Sequence, residues 1–336
     1  MNVAIVVPCR NELNYIVRCV ESALIQEVDG TSIKVYVVDG LSDDGTRELL
    51  QKTYVNNDRV FIIDNDKRTT PFALNAGIKA AAADVSIIFG AHAVMHTDYV
   101  SYCLDVLQND HSVACVGGVI ANVNENSMAQ VISECMSSSF GVGNAHFRTG
   151  NAKGEVDTVA FGAYRTKVFD EIGYFNESLT RNQDDELNFR IIKAGYKIFL
   201  DHQIRSDYFV RGSIGKLARQ YFQYGYWKVY VNTLHHTITT WRQLVPFVFV
   251  SYLLSAAIIG FIKNDVVPIL IIPLLVYLLL SFFISFRLGR GVIAIAQRMV
   301  IFFILHTTYG WGYLRGVLEF LIFRRKPNNR AELSSR

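Results

Sequence analysis

None of the five cysteines stands in a C-x-x-C pair, and none shares with histidine a spacing that suits zinc. Cys9, Cys19, Cys103, Cys115 and Cys135 all lie in the first half of the 336-residue chain and read as reduced, structural thiols of a cytosolic domain. A G-x-G-x-x-G fingerprint is missing after the first apolar run, which excludes a Rossmann dinucleotide site. Net charge is low as well. At +3 it argues against nucleic acid as a partner. There is no internal repeat or low-complexity tract. A secretory leader is not expected either: the apolar start Met1–Pro8 is stopped by Arg10, Asn11 and Glu12, so the globular part should stay in the cytoplasm.

Apolar sequence, by contrast, is plentiful: 51% of residues are hydrophobic, above the usual share for a soluble protein. Leu244–Ile262 gives 19 consecutive uncharged residues and Val266–Phe286 gives 21, with Lys263-Asn264-Asp265 as a polar turn between them. At about 1.5 Å per residue each run spans roughly 30 Å, the thickness of a bilayer core. A third apolar stretch, Met299–Phe323, carries His306, Arg315 and Glu319 and is followed by Arg324-Arg325-Lys326. A third full crossing would put that basic cluster outside, so an interfacial or re-entrant segment is expected there. From Arg287 onward nine residues are basic and two acidic, a bias that suits anionic membrane lipids at the cytoplasmic face. The expected organisation is a globular domain over 1–240, a membrane anchor over 241–323 and a basic cytoplasmic tail over 324–336.

Upstream, short β-branched runs alternate with helical stretches. Val3–Val7, Ile33–Val38, Val60–Ile63 and Val85–Phe89 read as strands; Glu12–Gln26, Asp44–Thr53 and Pro71–Ala83 read as helices. This alternation predicts an α/β fold whose mostly parallel sheet is flanked by helices. Ligands then bind beyond the carboxyl ends of the strands. Residues 121–240 are less regular, with a mobile loop expected over 141–154 and a helix over Asp184–Ala194 stopped by Gly195.

Polar motifs follow the predicted strands. After the first comes Pro8-Cys9-Arg10-Asn11-Glu12, whose loop groups suit a base and its ribose, though a plain strand-to-helix turn describes them too. After the second comes Asp39-Gly40-Leu41-Ser42-Asp43-Asp44. An aspartate here can accept the imide N–H of uracil, and Ser42 or Asp44 can cap the next helix; an Asp- and Gly-rich turn is the plainer description. Lys67-Arg68 precedes a Pro-started helix containing Asn75 and offers a cation for a diphosphate, or simply solvated charge. Gly90-Ala91-His92 follows the fourth strand, with His92 the only candidate there for a divalent cation. Last, Gln183-Asp184-Asp185-Glu186 packs acids into a helix's first turn, where the macrodipole favours anions. Asp184, ionised, can take the proton of an attacking hydroxyl.

In their order these blocks, VVPCRNE, VVDGLSDDGT, KR…LNAG, GAH, DTVAFGAYR, GYFNE and NQDDELNFR, resemble family 2 glycosyltransferases of the GT-A fold. The likeness is to the bacterial succinoglycan-type glucosyltransferases with a C-terminal membrane anchor. The resemblance implies a GT-A-type mixed sheet followed by a transmembrane hairpin. It also implies an inverting transfer of a hexose from a nucleotide-sugar, a UDP-sugar, to a lipid-linked saccharide in surface polysaccharide biosynthesis at the inner membrane. By position, Pro8, Arg10, Glu12, Asp39, Ser42, Arg68, Asn75, Gly90 and Ala91 are implied to line the nucleotide-sugar. His92 is implied to hold Mg2+ or Mn2+, and Asp184 to be the base. Gly162, Arg165 and Gln183 would form the donor–acceptor wall, with Gln223, Tyr226 and Trp227 near the acceptor. Three positions depart from the family's pattern: Gly90 stands for an aspartate, Gln183 for an acid and Tyr226 for an arginine, whose charge Lys228 is a candidate to supply. The departures keep open a second expectation, a catalytically impaired membrane subunit that binds nucleotide-sugar or partners without turnover.

Overall fold

The structure is a computed structural model that describes all residues except 144, 151–152, 211, 240 and 328–336. Most of the expected basic tail therefore lies outside the described residues. The chain forms two compact units. The first comprises residues 1–123 and 145–209, the second 124–144 and 210–336.

The elements of the first unit begin with β1 (Asn2–Cys9), α1 (Ile16–Leu24), β2 (Ser32–Asp39), α2 (Thr46–Tyr54), β3 (Val60–Asp64), α3 (Thr70–Ala81) and β4 (Val85–Ile88). These match the predicted alternation element for element. A short strand β5 (Ala93–Met95), helix α4 (Tyr99–Asn109) and strand β6 (Val113–Asn124) follow. The chain then makes α5 (Ser127–Met136) and α6 (Ser139–Val142), which belong to the second unit. It returns through α7 (His146–Thr149), β7 (Gly154–Val156), β8 (Ala160–Arg165), α8 (Thr166–Ile172), α9 (Gln183–Lys193) and β9 (Lys197–Val210). Thus the stretch expected as a loop over 141–154 contains the end of α6 and the whole of α7.

The strands form one mixed sheet in the order β3-β2-β1-β4-β8-β6-β9-β5, with β7 paired to β9. β3, β2, β1 and β4 run parallel. β8 is antiparallel to both β4 and β6. Alternation along β1 divides the core. Val3, Ile5 and Val7 pack against α1, α2 and α4, while Ala4 and Val6 face α3, α8 and α9. Gly77 of α3 permits the closest approach on that second face, since a Cβ there would collide with Val6 and stand 3.1 Å from Val38 Cγ2.

The second unit contains α10 (Ile214–His235), α11 (Val245–Ile262), α12 (Val267–Leu288) and α13 (Val292–Gly316), the last continuing as a π-turn over Val317–Ile322. Among the described residues three helices, Trp241–Ile262, Asn264–Leu288 and Val292–Ile322, are long and apolar enough to cross a membrane. The third begins upstream of Met299 and has a buried face containing Ile301, Phe302, Leu305 and Tyr313. Its charges have partners within this unit: Arg298 Nε donates to Glu134 Oε2 at 2.7 Å, and Arg315 Nε to Glu319 Oε1 at 2.7 Å. α10 packs along α13 so closely that a Cβ on Gly312 would collide with the Phe222 carbonyl. The compact units therefore part at Phe209, upstream of the composition change near 240, because α10 joins the apolar helices despite its polar residues.

Candidate active site

β1, β2 and β4 end side by side: Cys9 pairs with Asp39, and Val6 with Ile88. The loops beyond them are stitched together. Asn11, at φ +56°, donates its backbone N–H to Ser42 Oγ at 2.8 Å; its side chain donates to Asp43 Oδ1 and accepts from the Asp43 backbone N–H. The Glu12 N–H donates to Thr46 Oγ1 at 3.0 Å. The Arg10 stem lies against Gly40, where a Cβ would meet Arg10 Cδ at 3.3 Å. Pro8, Arg10 and Glu12 thus sit at or just beyond the carboxyl end of β1, at the sheet edge.

Asp39 is fully buried. Its carboxylate accepts from Ser42 Oγ at 2.5 Å and from the Ser42 N–H at 3.1 Å, and lies 3.4 Å from Arg47 Nη1. The same Arg47 nitrogen pairs with Asp64 at 2.5 Å, so one guanidinium ties the ends of β2 and β3. Ser42 therefore orders the loop through Asp39, and it is Asp44 that accepts the Thr46 N–H where α2 begins. Arg47, which sequence reasoning passed over, is one residue into a helix start and carries no motif.

His92 follows β4. Its Nδ1 is 3.4 Å from Glu12 Oε1, and Glu12 is only 2% exposed. Burial, then the Glu12 charge, push the neighbouring Cys19 thiol well above its ordinary range. The His92 ring rests 5.0 Å from that of Tyr208. Ala91 is buried, and the space beside Gly90 is filled: a Cβ there would stand 2.8 Å from Phe161 Cε1.

α9 reaches this edge through Asn188, whose Nδ2 donates to Thr158 Oγ1 at 3.1 Å just before β8. Asp184 lies one turn earlier on the same helix face and is exposed. The buried Tyr164 hydroxyl is pushed up by burial first, then by the Cys115 and Asp184 charges. Glu186 is occupied by Arg190 at 2.8 Å. Gln183 Oε1 is buried with no hydrogen-bond partner among the described residues.

Several expected residues sit elsewhere. Arg165 is a correction: β8 runs antiparallel to β4, so Arg165 pairs with Val85 at that strand's start, opposite the edge that carries His92. Its guanidinium donates to the carbonyls of Val113 at 2.9 Å, Asp110 at 3.1 Å and Leu107. Burial lowers its pKa. Gly162 is a packing position, since a Cβ would meet Cys115 Sγ at 2.7 Å. The Asn75 amide is committed to the Phe175 backbone and to Glu177 Oε1, at 2.9–3.0 Å. Arg68 is exposed at φ +58° in the β3–α3 loop. Gln223, Tyr226 and Trp227 are buried on α10 in the second unit. There the Tyr226 hydroxyl donates to Glu319 at 2.5 Å, and Arg315 lies 5.9 Å over its ring. Lys228 is itself 1% exposed.

With this arrangement in view, comparison with known proteins is decisive at one point: Glycosyl transferase family 2 matches residues 4–173, half of the chain. The chain belongs to that family. It is a glycosyltransferase. This family 2 member is 29% identical over 328 residues to a Methanococcus voltae enzyme, dolichyl N-acetyl-alpha-D-glucosaminyl phosphate 3-beta-D-2,3-diacetamido-2,3-dideoxy-beta-D-glucuronosyltransferase, covering 94% of this chain and 97% of that protein. It is 27% identical over 329 residues to the succinoglycan biosynthesis protein ExoA of Rhizobium meliloti, covering 94% and 95%. Among solved structures, a mannosyltransferase from Pyrobaculum calidifontis in complex with GDP-Man and Mn2+ aligns at a TM-score of 0.51 and 19% identity, over 66% of this chain and 61% of that one. The chain spans less than two thirds of that solved chain, and the likeness there is one of fold. The resemblance read from the ordered motifs, with its GT-A-like sheet and apolar C-terminal helices, holds.

That solved relative carries a divalent cation. Among the described residues here, no group of three or more His, Cys, Asp or Glu side chains is placed to hold one. The donor set that fits is smaller: the His92 imidazole and the buried Glu12 carboxylate, 3.4 Å apart at the strand ends. Two protein donors are what a Mg2+ or Mn2+ ion needs when substrate phosphates and water complete its shell.

Proposed function

We propose that this family 2 glycosyltransferase moves a hexose, with inversion, from a nucleotide-sugar, a UDP-sugar, onto a saccharide carried on a polyprenyl diphosphate. It would do so in bacterial surface polysaccharide biosynthesis, at the cytoplasmic face of the inner membrane. The observation that supports this reading is the exposed Asp184 at the start of α9, a helix tied through Asn188 to Thr158 just before β8. Support for the acceptor comes from two near-full-length relatives, one named for a dolichyl-phosphate-linked sugar and one for succinoglycan biosynthesis. The three apolar helices support an acceptor held in the bilayer.

In this mechanism the acceptor hydroxyl attacks the anomeric carbon from the face opposite the diphosphate. Asp184 takes the hydroxyl proton, and the bond from the anomeric carbon to the β-phosphate oxygen breaks. Gln183, whose Oε1 has no hydrogen-bond partner among the described residues, would accept a sugar hydroxyl. Arg10, Glu12 and Ser42 border the nucleotide, with Asp39 and Arg47 holding their loop. Mg2+ or Mn2+ held by His92 with Glu12 would neutralise charge on the diphosphate.

The test is thermal-shift screening of the full chain against nucleotide-sugars, with and without Mg2+ or Mn2+, followed by turnover with a lipid-linked acceptor. A ligand that binds the native state raises its melting temperature by mass action. Stabilisation by no nucleotide-sugar would sink the reading. Gly90 and Gln183, with Phe161 packed beside Gly90, favour one alternative: a subunit that binds donor without turnover. Donor stabilisation with no sugar transfer over prolonged incubation would select it.

A further inference from the structure

Arg148, on the short helix α7, is the cation that sequence reasoning missed. Its Nη1 is buried with no hydrogen-bond partner, and no carboxylate pairs with the guanidinium among the described residues. Buried donors are rarely left unsatisfied, and a charged one least of all. The guanidinium carbon lies 5.9 Å from the Tyr208 ring centroid and 5.4 Å from that of Phe147. Tyr208 in turn packs on His92 at 5.0 Å and on Phe161 at 6.4 Å, and Phe161 is the side chain that closes the space beside Gly90. A single tyrosine therefore joins an unpaired cation to the cluster around His92 and Gly90.

We propose that Arg148 binds the diphosphate of the donor and stabilises it as the leaving group; this rests on the transfer reaction proposed above. As the bond from the anomeric carbon to the β-phosphate oxygen breaks, its electron pair stays on that oxygen. The nucleoside diphosphate gains one negative charge while the acceptor proton passes to Asp184; nothing is oxidised or reduced. The Arg148 guanidinium N–H groups hydrogen-bond the oxygens on which charge develops. A planar fork suits two phosphate oxygens at once, and the aromatic faces of Tyr208 and Phe147 hold it without competing for its donors.

The test is calorimetric titration of the full chain with UDP and uridine, with EDTA and with Mn2+, in wild type, Arg148→Gln and Arg148→Lys. Arg148→Gln should bind UDP about tenfold to a hundredfold more weakly, the range expected for a lost charge-assisted hydrogen bond. Uridine affinity should stay unchanged, which also certifies the fold. Arg148→Lys should fall between, retaining charge without the fork. UDP affinity equal to wild type in Arg148→Gln would overturn the inference alone. So would a loss seen with UDP-glucuronate but not with UDP, which would assign the cation to a sugar carboxylate. A wild type that binds none of UDP, GDP or dTDP would sink the donor reading, and this inference with it.

Discussion

Replacing Gly90 by alanine adds one carbon where no room exists. The new Cβ would stand 2.8 Å from Phe161 Cε1 and 3.2 Å from Cζ, inside the roughly 3.5–4.0 Å at which carbons rest. Phe161 is poorly placed to retreat. Its backbone sits at φ +49°, its carbonyl accepts from the Tyr99 hydroxyl at 2.5 Å, and its ring lies 4.6 Å from Phe89. Overpacking of this kind costs about 1–3 kcal/mol, which at about 2–4 °C per kcal/mol lowers Tm by about 2–12 °C. In a Phe161→Ala background the same Gly90→Ala change should cost almost nothing, since the obstructing ring is gone; the double-mutant cycle isolates that coupling. Differential scanning fluorimetry on the four full-length proteins reads it directly. For the same reason, Gly90→Asp alone should gain little Mn2+ affinity, while Gly90→Asp with Phe161→Ala should gain it. An equal loss of Tm from Gly90→Ala in both backgrounds would refute this account.

Asp184→Asn should lower turnover by about 10²–10⁴-fold with donor affinity unchanged, measured by product release and UDP-sugar titration. Asn75→Ala should destabilise the fold by about 2–3 kcal/mol, because the Phe175 backbone groups lose their partner, yet leave donor affinity as it was; chemical denaturation and titration read the two effects. Burial pushes the Asp44 carboxyl up, but hydrogen bonds from the Thr46 hydroxyl and the Thr46 and Leu13 N–H groups outweigh it and hold the group below the ordinary carboxylate range. A depressed folded pKa adds stability above the unfolded value, about 4, which is lost as pH falls through the folded one. Asp44→Asn should accordingly flatten the acid limb of the Tm-against-pH curve.

The parallel half of the sheet was legible because each strand there is a short β-branched run closed by a polar turn, and a parallel strand carries its chemistry at its carboxyl end. Hence Glu12, Asp39 and His92 were found together. Arg165 was misplaced because a motif has no direction: nothing in Phe161-Gly162-Ala163-Tyr164-Arg165 tells that β8 runs against β4 and carries its last residue to the far edge. The bonds that tie the Asn75 amide to Phe175 and Glu177 span about a hundred residues and leave no local sequence signal. α10 hides its allegiance in the same way. Its polar residues suggest a globular surface, but Gly225 and Gly312 mark a backbone-to-backbone seam with α13 that a scan for charge does not see. Arg148 gave no signal at all, standing in a Gly- and Asn-rich stretch that promised only a loop.

The excursion of residues 124–144 has a practical consequence for anyone seeking a soluble fragment. α5 buries Val131, Ile132, Cys135 and Met136 within the second unit, where Cys135 Sγ and Glu134 both bond to Arg298 of α13. Cutting the gene after codon 209 would keep α5 while discarding the helix it leans on. The shortened product would carry a greasy flank of its own making and clump, however sound its sheet. Solubilising this enzyme calls for detergent around the intact chain, or for recoding the α5 flank along with the cut.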